Sequence, residues 1–205
     1  VDARRASPQA AARDSTAGAI LDAAIEEMAA HGYHGTSVRD IAARVGVSAG
    51  VLYYHFKSKQ DLLVAILTTS MDRLVRQTED ALFDAGSAPV DRLRAIVGVH
   101  VLLHTERQRE SLLGNSELRS LESAGRALVV AGRDAQQRMF DRVVADGVKR
   151  GVFHTPLPAE AARSVVSACT AVASWYRVGG PLTPGQIVER YQRVALDTVG
   201  YREPA

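Results

Sequence analysis

The stretch Thr36 to Lys59, TSVRDIAARVGVSAGVLYYHFKSK, narrows the possible folds more than any other part of the 205-residue chain. Val38, Ile41, Ala42 and Val45 recur at i, i+3, i+4 and i+7, the spacing of one apolar helical stripe. Ser37 is placed to cap that helix, and Asp40, three residues on, supplies a variant of the capping box. Gly46 ends the helix where a positive φ is cheap. Ser48 then caps a second short helix whose apolar positions are Val51, Leu52 and Phe56. Two short helices joined by a tight turn containing glycine make a helix-turn-helix, and the second helix of such a unit enters the major groove of DNA.

The residues that follow sharpen this reading. Tyr53, Tyr54 and His55 put three amphipathic rings on a helix too short to bury them all. Lys57 and Lys59 flank Ser58, which with Asp61 marks the start of a long helix. Helix N–H dipoles and a lysine at one place suit a phosphate. The second helix carries no Arg, Asn or Gln for bidentate base contacts. Its DNA face is therefore Ser48, Ala49, Gly50, Val51, Tyr53 and Tyr54. Thr36, Ser37, Tyr53, His55, Lys57 and Lys59 are expected at phosphates, and Arg39 is the best base-edge candidate.

Gly35-Thr36-Ser37-Val38-Arg39-Asp40-Ile41-Ala42, Val45-Gly46-Val47-Ser48 and Leu52-Tyr53-Tyr54-His55-Phe56-Lys57-Ser58-Lys59 together resemble the DNA-binding domain of the tetracycline-repressor (TetR) family. The resemblance implies a dimeric, operator-binding transcriptional regulator, most often a repressor. It also implies a helical second domain that holds a small-molecule effector and dimerises through the last two helices. Near the C-terminus, Trp175-Tyr176-Arg177-Val178-Gly179-Gly180-Pro181-Leu182-Thr183 resembles a subgroup that controls lipid or steroid catabolism and responds to CoA thioesters.

The rest of the chain predicts an all-α protein. Residues 1–14, with Arg4, Arg5 and Arg13, read as a mobile basic arm, residues 15–58 as a three-helix DNA-binding domain, and residues 59–205 as a larger helical domain. Ile20, Leu21, Ala24, Ile25 and Met28 mark the first helix, closed by Gly32, with Tyr33 packing beneath the motif. Leu62, Leu63, Ile66, Leu67, Met71, Leu74, Val75 and Leu82 predict one helix from Lys59 to about Phe83, a mechanical link between the two domains. Further helices are expected from Val90 to about Arg107, Leu118 to Arg150, Pro158 through Val178, and Thr183 onward. Leu112-Leu113-Gly114-Asn115 reads as a helical turn and a kink.

Net charge is only +2, so DNA binding has to come from a local patch, and two of the three lysines fall inside the motif. An apolar content of 46% suffices for a core. The single cysteine, Cys169, excludes an intramolecular disulfide and any cysteine-cluster metal site. No run approaches the ~18 apolar residues of a membrane span. No apolar run follows the N-terminal arginines, so a cytoplasmic protein without a secretory signal or membrane partner is expected.

In the second domain, His100 and His104 share a helical face, a spacing able to bind one metal. No third ligand is evident, although Glu106 and Glu110 are nearby, so they are read as pocket-lining or hydrogen-bonded histidines, with no metal or cofactor expected. Val97, His100, His104, Leu112, Asn115, Arg133, Met139, Phe140 and Trp175 are the candidates for an effector pocket. There is no phosphate-binding glycine loop and no nucleophile motif, which argues against an enzyme. The competing reading is a helix-turn-helix adaptor, or a DNA-binding protein without a ligand.

Overall fold

The computed structural model describes residues 8–203, with side chains from Ser15 onward. Those residues form nine α-helices and no strand: α1 (Pro8–Gly35), α2 (Val38–Val45), α3 (Ala49–His55), α4 (Lys59–Asp84), α5 (Pro89–Glu106), α6 (Gln108–Ser116), α7 (Ser123–Lys149), α8 (Pro158–Trp175) and α9 (Pro184–Thr198). A 3-10 turn, Glu117–Ser120, joins α6 to α7. The expected basic arm lies outside the described residues as far as residue 7, and its second half is the first part of α1.

Local chemistry sets the helix boundaries. The Ser37 hydroxyl accepts from the backbone N–H of Asp40, and the Asp40 carboxylate accepts from that of Ser37, so the capping box at α2 is complete. Ser48 and Ser58 cap α3 and α4 in the same way, each accepting from the N–H three residues on. Thr183, Pro184 and Gln186 form a second complete box at α9. Gly32 (φ 73°) breaks α1, and Gly46 (φ 76°) ends α2, both in the left-handed region that favours glycine.

Two clusters of buried side chains form the interior. In the first, Ile20, Ala24 and Met28 of α1 meet Ile41, Leu52, Leu62, Leu63 and Ile66. Leu113, Leu121 and Val129 from the larger domain complete it, so the first half of α4 is shared by both domains. The second cluster packs α5, α7, α8 and α9 around Leu93, Ile96, Val101, Phe140, Val144, Phe153, Val165, Val172 and Leu196. Gln192 of α9 donates to the Arg94 carbonyl at 3.0 Å, fastening α9 to α5.

Three boundaries differ from the expectation. The segment around Gly114 is not a mere turn but the end of α6, held there by Leu113, which is buried in the first cluster. The next helix starts at Ser123 rather than Leu118. The Glu117 carboxylate accepts from the Ser120 hydroxyl at 2.6 Å and the Tyr33 N–H at 3.4 Å, and Gln60 donates to the Ser120 carbonyl at 2.6 Å, fixing the intervening chain as a tight turn. Finally, α8 stops at Trp175, because Tyr176 turns extended and Gln108 caps the end by donating to the Ala173 and Tyr176 carbonyls.

The Phe153 ring lies directly on the Cα of Gly147, within the space a Cβ would occupy. Gly147→Ala should therefore lower stability by about 1–3 kcal/mol through overpacking, while leaving helix content unchanged. Chemical denaturation checks this; an unchanged midpoint would show that Phe153 repacks freely.

Candidate nucleic-acid interface and ligand cavity

The packing of α2 and α3 decides which motif residues face outward. Ile41 and Leu52 are completely buried and anchor the two helices to α1. What remains outward is Ser37 and Arg39 on α2, Ser48 at the turn, and Gly50, Val51, Tyr53 and Tyr54 on α3, with Ala49 and His55 half-buried beside them. Tyr54 and His55 meet edge-to-face at 5.3 Å, and Lys57 projects from the following turn. Hydrogen bonds from the Ser37 hydroxyl and then its backbone N–H hold the Asp40 carboxyl below its ordinary range. That charge is committed to the cap.

Two residues expected at phosphates are placed otherwise. The Thr36 side chain is buried and its hydroxyl donates to the Gly32 carbonyl at 2.9 Å, so it ties α2 to the break in α1. The Lys59 ammonium donates to the carbonyls of Tyr33 and Thr36, both at 2.8 Å, and sits 4.3 Å from the centre of the Tyr33 ring. Two of its three donors are thus spent inside the protein. Lys59 is first a clamp between α4 and the end of α1.

A cavity of about 450 Å³ lies in the larger domain, lined from α4, α5, α6, α7 and α8. Leu67, Met71, Leu74, Leu103, Val129 and Val166 make its apolar walls. Of the residues expected at a pocket, His100, His104, Asn115 and Arg133 line it. The other five do not. Val97, Met139 and Phe140 are buried away from it, Val97 and Phe140 in the second core. Leu112 points off α6 toward solvent. Trp175 is 44% exposed and stacks on Tyr191 of α9, on the outer face of the last two helices.

The two histidines lie parallel, 4.5 Å apart, with His100 edge-on to Phe140. His104 donates from Nδ1 to the His100 carbonyl at 2.7 Å, and the Nε2 atom of His100 lies 2.9 Å from the Thr170 hydroxyl. Burial pushes the His100 pKa well below its ordinary value, and the His104 ring lowers it further. Burial also lowers His104, partly opposed by its bond to the His100 carbonyl. At neutral pH both rings are uncharged. Among the described residues no group of three or more His, Cys, Asp or Glu side chains is arranged to hold a metal.

Arginines gather around the same space. Arg73 and Arg107 both reach the Glu110 carboxylate, Arg133 donates to the Gly114 carbonyl at 2.7 Å, and Arg163 lies exposed on α8. Burial lowers the Arg133 pKa from its usual value.

A helix-turn-helix joined by one long helix to a hollow helical domain has counterparts of known family. Residues 20–66 match the bacterial regulatory proteins of the tetR family, and residues 86–199 match the tetracyclin repressor-like C-terminal domain. The chain belongs to the TetR family. It is 30% identical to the HTH-type transcriptional repressor KstR2 of Mycobacterium tuberculosis (strain ATCC 25618 / H37Rv), over 89% of this chain and 92% of the relative. A tetR-family regulatory protein from Rhodococcus RHA1 superposes with a TM-score of 0.86 at 32% identity, covering 92% of this chain and 98% of that one. AibR, solved in complex with isovaleryl coenzyme A and operator DNA, gives a TM-score of 0.81 at 26% identity over 91% and 100% of the two chains.

This TetR-family chain is thus a transcriptional regulator and not an enzyme. Among the described residues no helix is long and apolar enough to cross a membrane. Sequence reasoning missed most of the cavity lining, notably Arg73, Arg107, Glu110, Gln136, Arg163 and Thr170. One signal was available for Gln136. It precedes Met139 and Phe140 by three and four residues, which puts a polar side chain on a buried stripe.

The histidine pair gives the regulator a definite pH response. Below the ordinary value of 6.5 the unfolded chain takes up protons that folded His100 refuses. Stability is therefore full above that pH and declines as pH falls beneath it. His100→Asn should flatten the decline between pH 7.5 and 5.5 in urea titrations; an unchanged slope would assign the acid sensitivity elsewhere.

Proposed function

We propose that this regulator is a repressor that binds a near-palindromic operator as a dimer and leaves it when an acyl-CoA thioester fills the larger domain. The observation that carries the reading is the cavity itself: apolar walls suited to an acyl group, bordered by Arg73, Arg107, Arg133 and Arg163, whose charge suits the phosphates of coenzyme A. The AibR complex with isovaleryl coenzyme A supports the same class of effector.

The route from cavity to DNA is short. Leu67, Ser70, Met71, Arg73 and Leu74 of α4 line the cavity, and the same helix begins at the Lys59 clamp. The 3-10 turn after α6 adds a second connection, through Glu117 to Tyr33 and through Ser120 to Gln60. An effector that fits best when α4 and α6 are displaced binds the DNA-competent form less well, and a coupling of ~1–3 kcal/mol lowers operator affinity about 5–150-fold. Dimerisation through α8 and α9 is supported by their exposed apolar side chains, Trp175 and Val194 among them. It supplies the two-fold symmetry that paired half-sites require.

On the DNA side, Arg39 reads base edges and Lys57 holds a phosphate. Ser37, Ser48, Tyr53, Tyr54 and His55 frame the groove, while Ala49, Gly50 and Val51 approach thymine methyls.

Two expected outcomes test this. Titrating isovaleryl-CoA and longer acyl-CoA thioesters into the protein–operator complex should release the operator, and Arg107→Ala with Arg163→Ala should raise the concentration required. Tight binding of these thioesters without operator release would leave a constitutive DNA-binding protein as the better reading. Lys57→Ala should weaken all sequences alike and reduce the salt slope by about one, whereas Arg39→Ala should cost about 1–3 kcal/mol and relax preference at one base pair. Competition binding on operator variants at two salt concentrations separates these effects.

A further inference from the structure

Two of the four arginines around the cavity already hold an anion, and it is one of the protein's own. Glu110, near the start of α6, is only 9% exposed. Its Oε2 accepts from the Ser70 hydroxyl at 2.8 Å and from Nη1 of Arg73 at 2.9 Å, both on α4. Its Oε1 accepts from Nη1 of Arg107 at 3.5 Å. All four side chains line the cavity. A hydroxyl and two guanidinium groups converging on a pair of oxygens make an anion cradle, and such a set suits a phosphate as well as a carboxylate.

In a solid core a buried carboxylate keeps its partners because nothing else can reach them. Here the partners border a space of about 450 Å³. A diphosphate entering that space meets Arg73 and Arg107 already neutralised, and gains them only in exchange for Glu110. The carboxylate also has somewhere to go. Glu110 borders a second hollow, between α1 and the junction of α5 with α6, whose lining includes Asp22, Glu26 and Glu106, with Arg109 already paired to Glu26. Acidic neighbours there favour its return to the arginines once the phosphate leaves.

We infer that Glu110 is a built-in competitor of the effector: its carboxylate occupies the cradle of Ser70, Arg73 and Arg107, and a phosphate of the thioester enters by expelling it. The inference rests on the acyl-thioester reading and names how the cavity is gated within it. The exchange replaces a contact between two helices by contacts to the ligand, so α4 loses this polar tie to α6 as the cavity fills. It also sets affinity, since a ligand that needs the expelled state binds more weakly by the fraction of chains in that state.

The test measures isovaleryl-CoA binding to the full chain by calorimetry. Glu110→Gln keeps the shape but removes the competing charge, and should tighten binding about tenfold. Glu106→Gln makes the same change of charge one turn away, on an exposed residue outside the cradle, and should stay within about twofold of the unaltered protein. Adding Arg73→Met to Glu110→Gln should abolish the gain. Unchanged or weaker binding by Glu110→Gln, an equal gain in Glu106→Gln, or a gain that persists without Arg73 overturns the inference while leaving the acyl-thioester reading intact. If Glu110→Gln does not fold, carbodiimide labelling of the unaltered chain decides: saturating isovaleryl-CoA should raise modification of Glu110 severalfold, and unchanged modification refutes the expulsion. If no thioester binds, that reading fails, and pyrophosphate decides the present one by thermal shift. Greater stabilisation of Glu110→Gln than of the unaltered chain and of Glu106→Gln sustains it; equal shifts refute it.

Discussion

The Lys59 ammonium, held between the carbonyls of Tyr33 and Thr36 and over the Tyr33 ring, is the contact on which the two-domain arrangement depends. Gly32 breaks α1 in the left-handed region, and the short segment after it carries carbonyls that no helix satisfies. A cation at the first position of α4 satisfies two of them at once. It also places the N-terminal end of a 26-residue helix against the helix-turn-helix. Hydrogen bonds to a charged donor are among the stronger ones, so the orientation of α2 and α3 relative to α4 is well determined. On the proposed function, a tilt of α4 within the larger domain would reach the surface proposed to face DNA.

Those consequences reach the cavity because α4 belongs to both interiors. Leu62, Leu63 and Ile66 lie in the first core, and Leu67 both closes that core and lines the cavity. Ser70 and Arg73 donate to Glu110 of α6 at 2.8 and 2.9 Å, so α4 and α6 meet at the cavity wall through a half-buried ion pair rather than through apolar packing alone. Polar contacts of this kind have few alternative geometries. Under the proposed function a ligand that competes for Arg73 or Glu110 would shift the two helices together; α6 is tied through the following turn to Tyr33.

Much of this was legible in the sequence because it is written in local chemistry. The caps at Ser37, Ser48, Ser58 and Thr183 depend on residues three apart, and each forms as its pattern predicts. The family resemblance covered the DNA-binding unit, and the long α4 followed from its stripe. The cavity was far less legible. Arg107, Glu110 and Arg163 are not among the residues expected at a pocket, since no periodicity distinguishes a charge facing water from one facing a hollow. Trp175 and Phe140 are both among the residues expected at a pocket. The first instead stacks on Tyr191 outside, and the second fills the core beneath His100. Thr36 and Lys59 show the same limit from the other side. Both stand in a DNA-binding motif, yet Thr36 is engaged by the Gly32 carbonyl four residues back and Lys59 by the distant carbonyls of Tyr33 and Thr36, the second a pairing that no local spacing encodes.

Cavity and DNA-binding face are proposed to share one equilibrium through α4, and linkage then makes their coupling reciprocal. The most direct measurement is the affinity of isovaleryl-CoA for the free protein and for the protein saturated with operator, set beside operator affinity with and without the same thioester. Operator should weaken thioester binding by the same factor, within the range of about 5–150, by which the thioester weakens operator binding. Equal thioester affinity in the free and operator-bound protein would contradict it.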